Sequence, residues 1–213
     1  MKARPGLFVV LEGPDKSGKS TQARLLVEKL RALGHDVVHT REPGGTSFAE
    51  EVRRILLSTD HVVRPVAELL LYEASRAQHT DEVLRPALAA GKVVVCERYT
   101  LSTTVYQGYA RGLAPKLIAT ANTLATGGLK PDLTFVVDIP DSEFSARDTK
   151  RAHDRLENEP AEFRRRVRDG YRKARGTGFV HIDGTRPIER VQEIIMTRLG
   201  PKLERTIPAG ARR

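Results

Sequence analysis

The chain has 213 residues, enough for one well-formed core and little more. Its 39% hydrophobic and 30% charged residues fit a soluble globular protein, and no run approaches the ~18 apolar residues of a membrane-spanning helix. Lys and Arg exceed Asp and Glu by 36 to 27, a net charge of +9, which raises nucleic acid, phosphate or a membrane surface as a partner.

In chain order, the first apolar run, Leu7 to Leu11, reads as a strand and is too short for the core of a signal peptide. Ala23, Leu26, Val27, Leu30 and Leu33 keep helical spacing and stop at Gly34. A second run, 36–39, reads as a strand; His35 and His39 flank it, where a spacing of four makes no helical metal pair. Helical stretches at 45–57 and 66–90 precede a third strand, 93–96. A stretch at 102–127 precedes a fourth, 133–137, and one at 141–175 precedes a fifth, 179–182; a last helix covers 187–203. Unbroken Val-rich strands alternating with helices predict an α/β fold, a five-stranded parallel sheet with helices on both faces. One domain spans 1–213, with 205–213 as a frayed tail. The single cysteine, Cys96, excludes an internal disulfide and fits a reducing compartment, so a cytoplasmic location is expected.

The positive charge is local. Arg147 to Arg175 carries 11 basic and six acidic residues, and Arg198 to Arg213 five and one, which together hold the whole excess. That distribution argues against a chain coated for nucleic-acid binding. The strands end in charge: Glu12, then Arg41 with Glu42, Glu97 with Arg98, Asp138 and Asp183. Ligands of open α/β sheets bind beyond this carboxyl edge.

Gly13-Pro-Asp-Lys-Ser-Gly18-Lys19-Ser20-Thr21 matches G-x-x-x-x-G-K-[ST] between the first strand and the first helix. The loop of Gly13, Pro14, Asp15, Lys16, Ser17 and Gly18 offers backbone N–H groups to a polyphosphate. Lys19 reaches the β and γ oxygens, and the Ser20 hydroxyl can ligate Mg²⁺ beside Thr21. ATP and Mg²⁺ are therefore expected. No N-K-x-D or D-x-x-G motif accompanies the loop, which disfavours a GTPase; arginines at Arg41 and Arg98 instead point to an anionic acceptor. Transfer between phosphates needs alignment and charge neutralisation rather than a strong base, which suits a site rich in Arg and Lys.

With the phosphate loop, the segments Arg41-Glu-Pro-Gly-Gly-Thr46, Leu70-Leu-Tyr-Glu-Ala-Ser-Arg76-Ala-Gln-His79, Glu97-Arg-Tyr99, Tyr106-Gln-Gly-Tyr-Ala-Arg-Gly112, Ala125-Thr-Gly-Gly-Leu-Lys-Pro-Asp-Leu-Thr134 and Asp154-Arg-Leu-Glu157 resemble the thymidylate kinase family. The resemblance runs from about Phe8 to Asp183. It implies a P-loop NTPase three-layer sandwich, transfer of the ATP γ-phosphoryl group to dTMP for dTTP synthesis, and a homodimer, with neither nucleic acid nor membrane as partner. An apolar face near 102–127 is the candidate dimer surface.

The resemblance also implies roles. Arg98 grips the acceptor phosphate; the competing account is an ion pair with Glu97 or Glu42. Glu97 stands where the family has Asp and would hold a metal-bound water or orient Arg98. Asp15 would accept from the sugar 3′ hydroxyl, or else pair with Lys16. Tyr72 would stack on thymine and Arg76 bond its carbonyl, unless they are a core aromatic and a surface Arg. Glu42, Pro43, Thr103, Tyr106 and Gln107 would line the same pocket, with Tyr106 against the 2′ carbon. A basic lid at about 147–160 would close over ATP and exclude water, Arg155 meeting the transition state and Arg147 stacking on adenine. Lys16 is the alternative transition-state contact. The run Arg164 to Arg168 reads as an exposed helix face.

Overall fold

The computed structural model describes residues 6–140, 142, 143, 147 and 154–204. Five parallel strands, β1 (Leu7–Glu12), β2 (Val37–Arg41), β3 (Val93–Glu97), β4 (Leu133–Asp138) and β5 (Phe179–Asp183), lie in the order β2-β3-β1-β4-β5. This is the P-loop NTPase fold. Every β1 side chain is buried, whereas the edge strands β2 and β5 are partly exposed. The central strands thus meet the expectation of burial on both faces, and the edges depart from it because each has a neighbour on one side only.

Alternation along β1 divides the core. Leu7, Val9 and Leu11 pack with Leu26 and Leu30 of α1 (Lys19–Ala32) and with Ile195 and Leu199 near the chain's end. Phe8 and Val10 face the opposite layer with Leu84, Val94 and Tyr99. Each fully buried branched side chain contributes about 1.5–3 kcal/mol. Leu33, expected in the α1 stripe, lies past the helix end and is 59% exposed.

The predicted helices are cut more finely than their apolar patterns imply. After α2 (Ser47–Leu57), α3 (Pro65–His79) passes through a π turn, Thr80–Leu84, into α4 (Arg85–Ala89). The wide turn accommodates Pro86, which has no N–H for a regular helix. The stretch at 102–127 is three pieces: α5 (Thr100–Thr103), a π-helical segment (Thr104–Ala110), and α6 (Pro115–Thr126), which ends where Gly127 turns left-handed at φ 54°. Within 141–175, α7 spans Ala161–Lys173, preceded by turns at 155–158. The closing helix, α8, is Ile188–Leu203. Part of the predicted lid, 148–153, and the tail 205–213 lie outside the described residues.

Register levels the charged ends. Glu97 stands beside Leu11 and Arg41, and Asp138 beside Asp183, so the loops leaving the strands converge on one edge.

Candidate active site

The phosphate loop leaves β1 at the sheet centre. Gly13 takes φ 143°, and a Cβ there would sit 2.1 Å from the Val137 carbonyl oxygen, so only glycine passes β4 this closely. Lys16 also has positive φ, 61°, and Gly18 begins α1 at φ 94°. No acidic side chain occupies the first turn of α1, which leaves the positive end of the helix open to an anion. Lys16 to Thr21 border a cavity of about 450 Å³, within the range of small-molecule sites, with Arg147, Gly184, Arg186 and Ile188 on its far side. Arg147 donates to the carbonyls of Lys16 (3.3 Å) and Gly184 (3.0 Å), which lays its guanidinium along that wall. Pro14 accepts from Lys19 Nζ at 3.1 Å. Burial, reinforced by the Arg98 charge, lowers the Lys19 ammonium to about 8.

Ser20 Oγ donates to Glu97 Oε2, while Glu97 Oε1 meets His39 Nε2 at 3.1 Å. Burial pushes the Glu97 carboxyl up, but hydrogen bonds from His39 and Ser20 outweigh it and hold it below its usual range. A hydroxyl and a carboxylate converging beside the loop fit Mg²⁺, which takes one or two protein oxygens and completes its shell from phosphates and water. Among the described residues no cluster of three or more His, Cys, Asp or Glu suits a fully protein-bound ion.

Across the phosphate loop lies a second cavity. All nine residues expected to hold the acceptor line it: Asp15, Glu42, Pro43, Tyr72, Arg76, Arg98, Thr103, Tyr106 and Gln107. Sequence reasoning missed Arg53, Leu57, Ser102, Asp154 and Leu156, which complete the wall. Arg53 comes from α2 and donates to the Pro43 carbonyl at 3.0 Å. Its spacing in α2 shows an ordinary helix face, and only the packing of α2 against α3 turns it inward. Burial and the nearby Arg41 charge lower the Arg53 guanidinium. Arg53 and Arg98 put two cations in one partly closed cavity, the arrangement an anionic ligand would neutralise.

The alternatives for Arg98 and Asp15 resolve into one contact. Arg98 pairs with Asp15 at 2.5 Å rather than with Glu97 or Glu42, and Lys19 reaches the same carboxylate at 3.5 Å. Burial raises the Asp15 carboxyl, yet Arg98, Lys19 and the Tyr106 hydroxyl hold it well below the carboxylate range. Arg98 adopts the left-handed region at φ 68°, uncommon for a residue with a Cβ, directly after β3.

Arg76 is no surface residue: it is 1% exposed. Its Nε donates to Glu42 (2.7 Å) and its Nη1 to Glu73 (2.6 Å), Thr103 (2.8 Å) and Asn122 (3.0 Å); Nη2 donates to the Tyr99 carbonyl (3.1 Å). Burial lowers the guanidinium and the two glutamates more than reverse it. His79 bridges Glu42 (2.9 Å) and Thr40 (2.7 Å) behind this floor. A Cβ on Gly45 would meet His79 at 2.6 Å, which explains the Gly-Gly of the second loop. Tyr72 and Tyr106 form the aromatic walls, and burial raises both phenols.

Arg155 is not brought to the phosphate loop. It donates to the Leu56 carbonyl (2.8 Å) and pairs with Glu68 (2.7 Å), a buried carboxylate that also holds Arg111 and Gln107. Arg168 departs from the exposed face expected of it. It is buried on the apolar side of α7 and faces Pro14, Asp15 and Glu157, while Arg165 and Arg166 are exposed. Cys96 is buried core, its thiol pushed well up by burial and neighbouring carboxylates, and so is no nucleophile.

A phosphate loop at the centre of this sheet, facing a partly closed cavity lined by Arg53, Arg76 and Arg98, defines the class of P-loop proteins that bind a nucleotide beside a second anionic ligand. The thymidylate kinase family model matches residues 11–195. The chain is 47% identical over 204 residues to the thymidylate kinase of Pseudomonas fluorescens (strain Pf0-1), covering 93% of this chain and 97% of that protein. It is 44% identical over 198 residues to that of Sulfurihydrogenibium sp. (strain YO3AOP1), covering 91% and 97%. The crystal structure of Ehrlichia chaffeensis thymidylate kinase superposes with a TM-score of 0.75 at 34% identity, covering 92% of this chain and 99% of that one. The chain belongs to the thymidylate kinase family.

Proposed function

We propose that the protein transfers the γ-phosphoryl group of ATP to dTMP, giving ADP and dTDP for dTTP synthesis. The observation that carries this reading is the second cavity, which sets Arg53, Arg76 and Arg98 beside two aromatic walls across the phosphate loop. The loop N–H groups and Lys19 hold the ATP phosphates, and Arg147 borders the adenine side. Ser20 and Glu97 would hold Mg²⁺, which would supply neutralisation of the phosphate charge.

Arg98 and Arg53 hold the acceptor phosphate with one oxygen toward the γ phosphorus. That oxygen is already anionic, so no side chain need remove a proton. Asp15 exchanges part of its contact with Arg98 for the sugar 3′ hydroxyl, and Tyr106 crowds the 2′ carbon. Tyr72 stacks on the base. Arg76 keeps one Nη2 hydrogen for a base carbonyl, and Thr103 and Gln107 shape the remaining edge. With Arg155 tied to Glu68, Lys16 is the loop's own candidate for the charge that develops on the γ phosphoryl.

ADP release measured across dTMP, dUMP, dGMP, dCMP and AMP tests the reading. dTMP should turn over fastest; preference for another base, or no turnover with any, refutes it. We read 1–213 as a single kinase domain acting in the cytoplasm, supported by one buried cysteine and by the lack, among the described residues, of a helix long and apolar enough to cross a membrane. The homodimer reading rests on exposed Leu117 and Leu124 (85%) of α6 beside Val66 and Leu70 (62%) of α3, the two helices packing together.

A further inference from the structure

Glu12 ends the central strand fully buried, with no part in the chemistry described above. Its Oε1 accepts from the backbone N–H of Tyr99 (2.8 Å) and of Ser102 (3.1 Å). Its Oε2 accepts from Ser102 Oγ (2.7 Å) and from the phenol of Tyr171 (2.9 Å). Tyr171 belongs to α7, the helix that follows the predicted lid in the chain, and is completely buried. Its hydroxyl oxygen then accepts from Arg98 Nη1 at 2.9 Å, and Ser102 Oγ accepts from the same nitrogen at 3.2 Å. A carboxylate, a phenol and a guanidinium thus stand in line. The phenol gives its proton to the anion and turns its lone pairs to the cation, an order that strengthens both bonds in a buried site.

The geometry of Arg98 needs such support. Its backbone sits in the left-handed region at the end of β3, and the Gly13 carbonyl, Tyr171 and Ser102 together engage Nη1. Engaging one edge of the planar group fixes the direction of the other. Nη2, which here meets Asp15 and Tyr106, is left as the edge that turns to a ligand.

We infer that Tyr171 is a positioning residue: backed by Glu12 and Ser102, it sets the direction of the Arg98 guanidinium and so couples α7 to the grip on the acceptor phosphate. The inference rests on the reading of Arg98 as a phosphate ligand. Tyr171 itself touches neither substrate nor reacting atoms.

The test separates phosphate grip from general integrity by comparing dTMP with thymidine, which has the same base and sugar and no phosphate. Calorimetry on the full chain would follow both ligands in wild type, Tyr171→Phe, Ser102→Ala and Arg98→Ala. Tyr171→Phe keeps the ring and leaves Glu12 three donors. It should weaken dTMP about ten-fold, the cost of one hydrogen bond to a charged group, with thymidine unchanged. Ser102→Ala should act in the same direction, less strongly. In an Arg98→Ala background, Tyr171→Phe should have no further effect on dTMP, as expected of a residue acting through Arg98. Equal weakening of both ligands would mean a merely structural role and overturn the proposal; so would unchanged dTMP affinity. If Arg98→Ala itself leaves the dTMP to thymidine ratio at the wild-type value, the phosphate site is wrong and the inference falls with it.

Discussion

Replacing Arg76 by Met removes the cation from a buried, densely paired cluster while keeping its volume filled. Arg76 makes five hydrogen bonds from an environment 1% exposed, two of them to carboxylates whose side chains are 3% (Glu42) and 8% (Glu73) exposed. Burying a charge without its partner is the costly step, and breaking such pairs typically costs about 3–5 kcal/mol. For a chain of this length each kcal/mol lowers Tm by roughly 2–4 °C, so a fall of about 10 °C is expected. Urea unfolding without nucleotide, followed by far-ultraviolet circular dichroism, measures the loss independently of substrate binding. Adding Glu73→Gln to Arg76→Met should restore about 1–2 kcal/mol by removing one orphaned anion. A loss under about 1 kcal/mol for Arg76→Met, or no recovery in the double variant, would refute the view that this floor is held by charge pairing.

Raising pH should weaken ATP. With Lys19 lowered to about 8 by burial, the ammonium is present below that value and lost above it, so affinity is full near pH 7 and falls through pH 8 to 9. Calorimetry at pH 8 in buffers of different ionisation heat should show about half a proton taken up on binding, since phosphate favours the charged form; no uptake contradicts the assignment. Glu97→Gln should raise the Mg²⁺ needed for half-maximal rate roughly ten-fold, whereas Glu97→Asp should remain active; an unchanged Mg²⁺ curve removes Glu97 from the metal site. On the proposed homodimer, wild type should sediment as a dimer and Leu124→Glu as a monomer; a monomeric wild type refutes the dimer, and an unaltered dimer moves the interface off α6.

The strands and the phosphate loop were legible because their signals are local. Val-rich runs at 7–11, 93–96 and 133–137 can be satisfied only by burial on both faces, and glycines at 13 and 18 with Lys19 between strand and helix carry their own geometric reason. Nine of the residues that line the second cavity were legible through motif resemblance, each motif sitting at a strand end or on one helix turn. What periodicity could not supply was where those helices break. An apolar stripe is the same whether the backbone winds regularly or opens into a π turn, as at Thr80–Leu84 and Thr104–Ala110.

The sequence by itself determined the α/β class, the family and the list of groups at the sheet edge, because these depend on residue type at short spacing. Only the tertiary structure decided their partners. It took Arg155 to Glu68, Arg98 to Asp15 and Tyr171, and Arg76 into the core, and it turned Arg53 inward from an unremarkable helix. The physical reason is that an ion pair's worth depends on distance and burial, and both are set by residues 30 to 160 positions apart meeting across packed elements, as Arg76 meets Glu42 and Tyr171 meets Glu12.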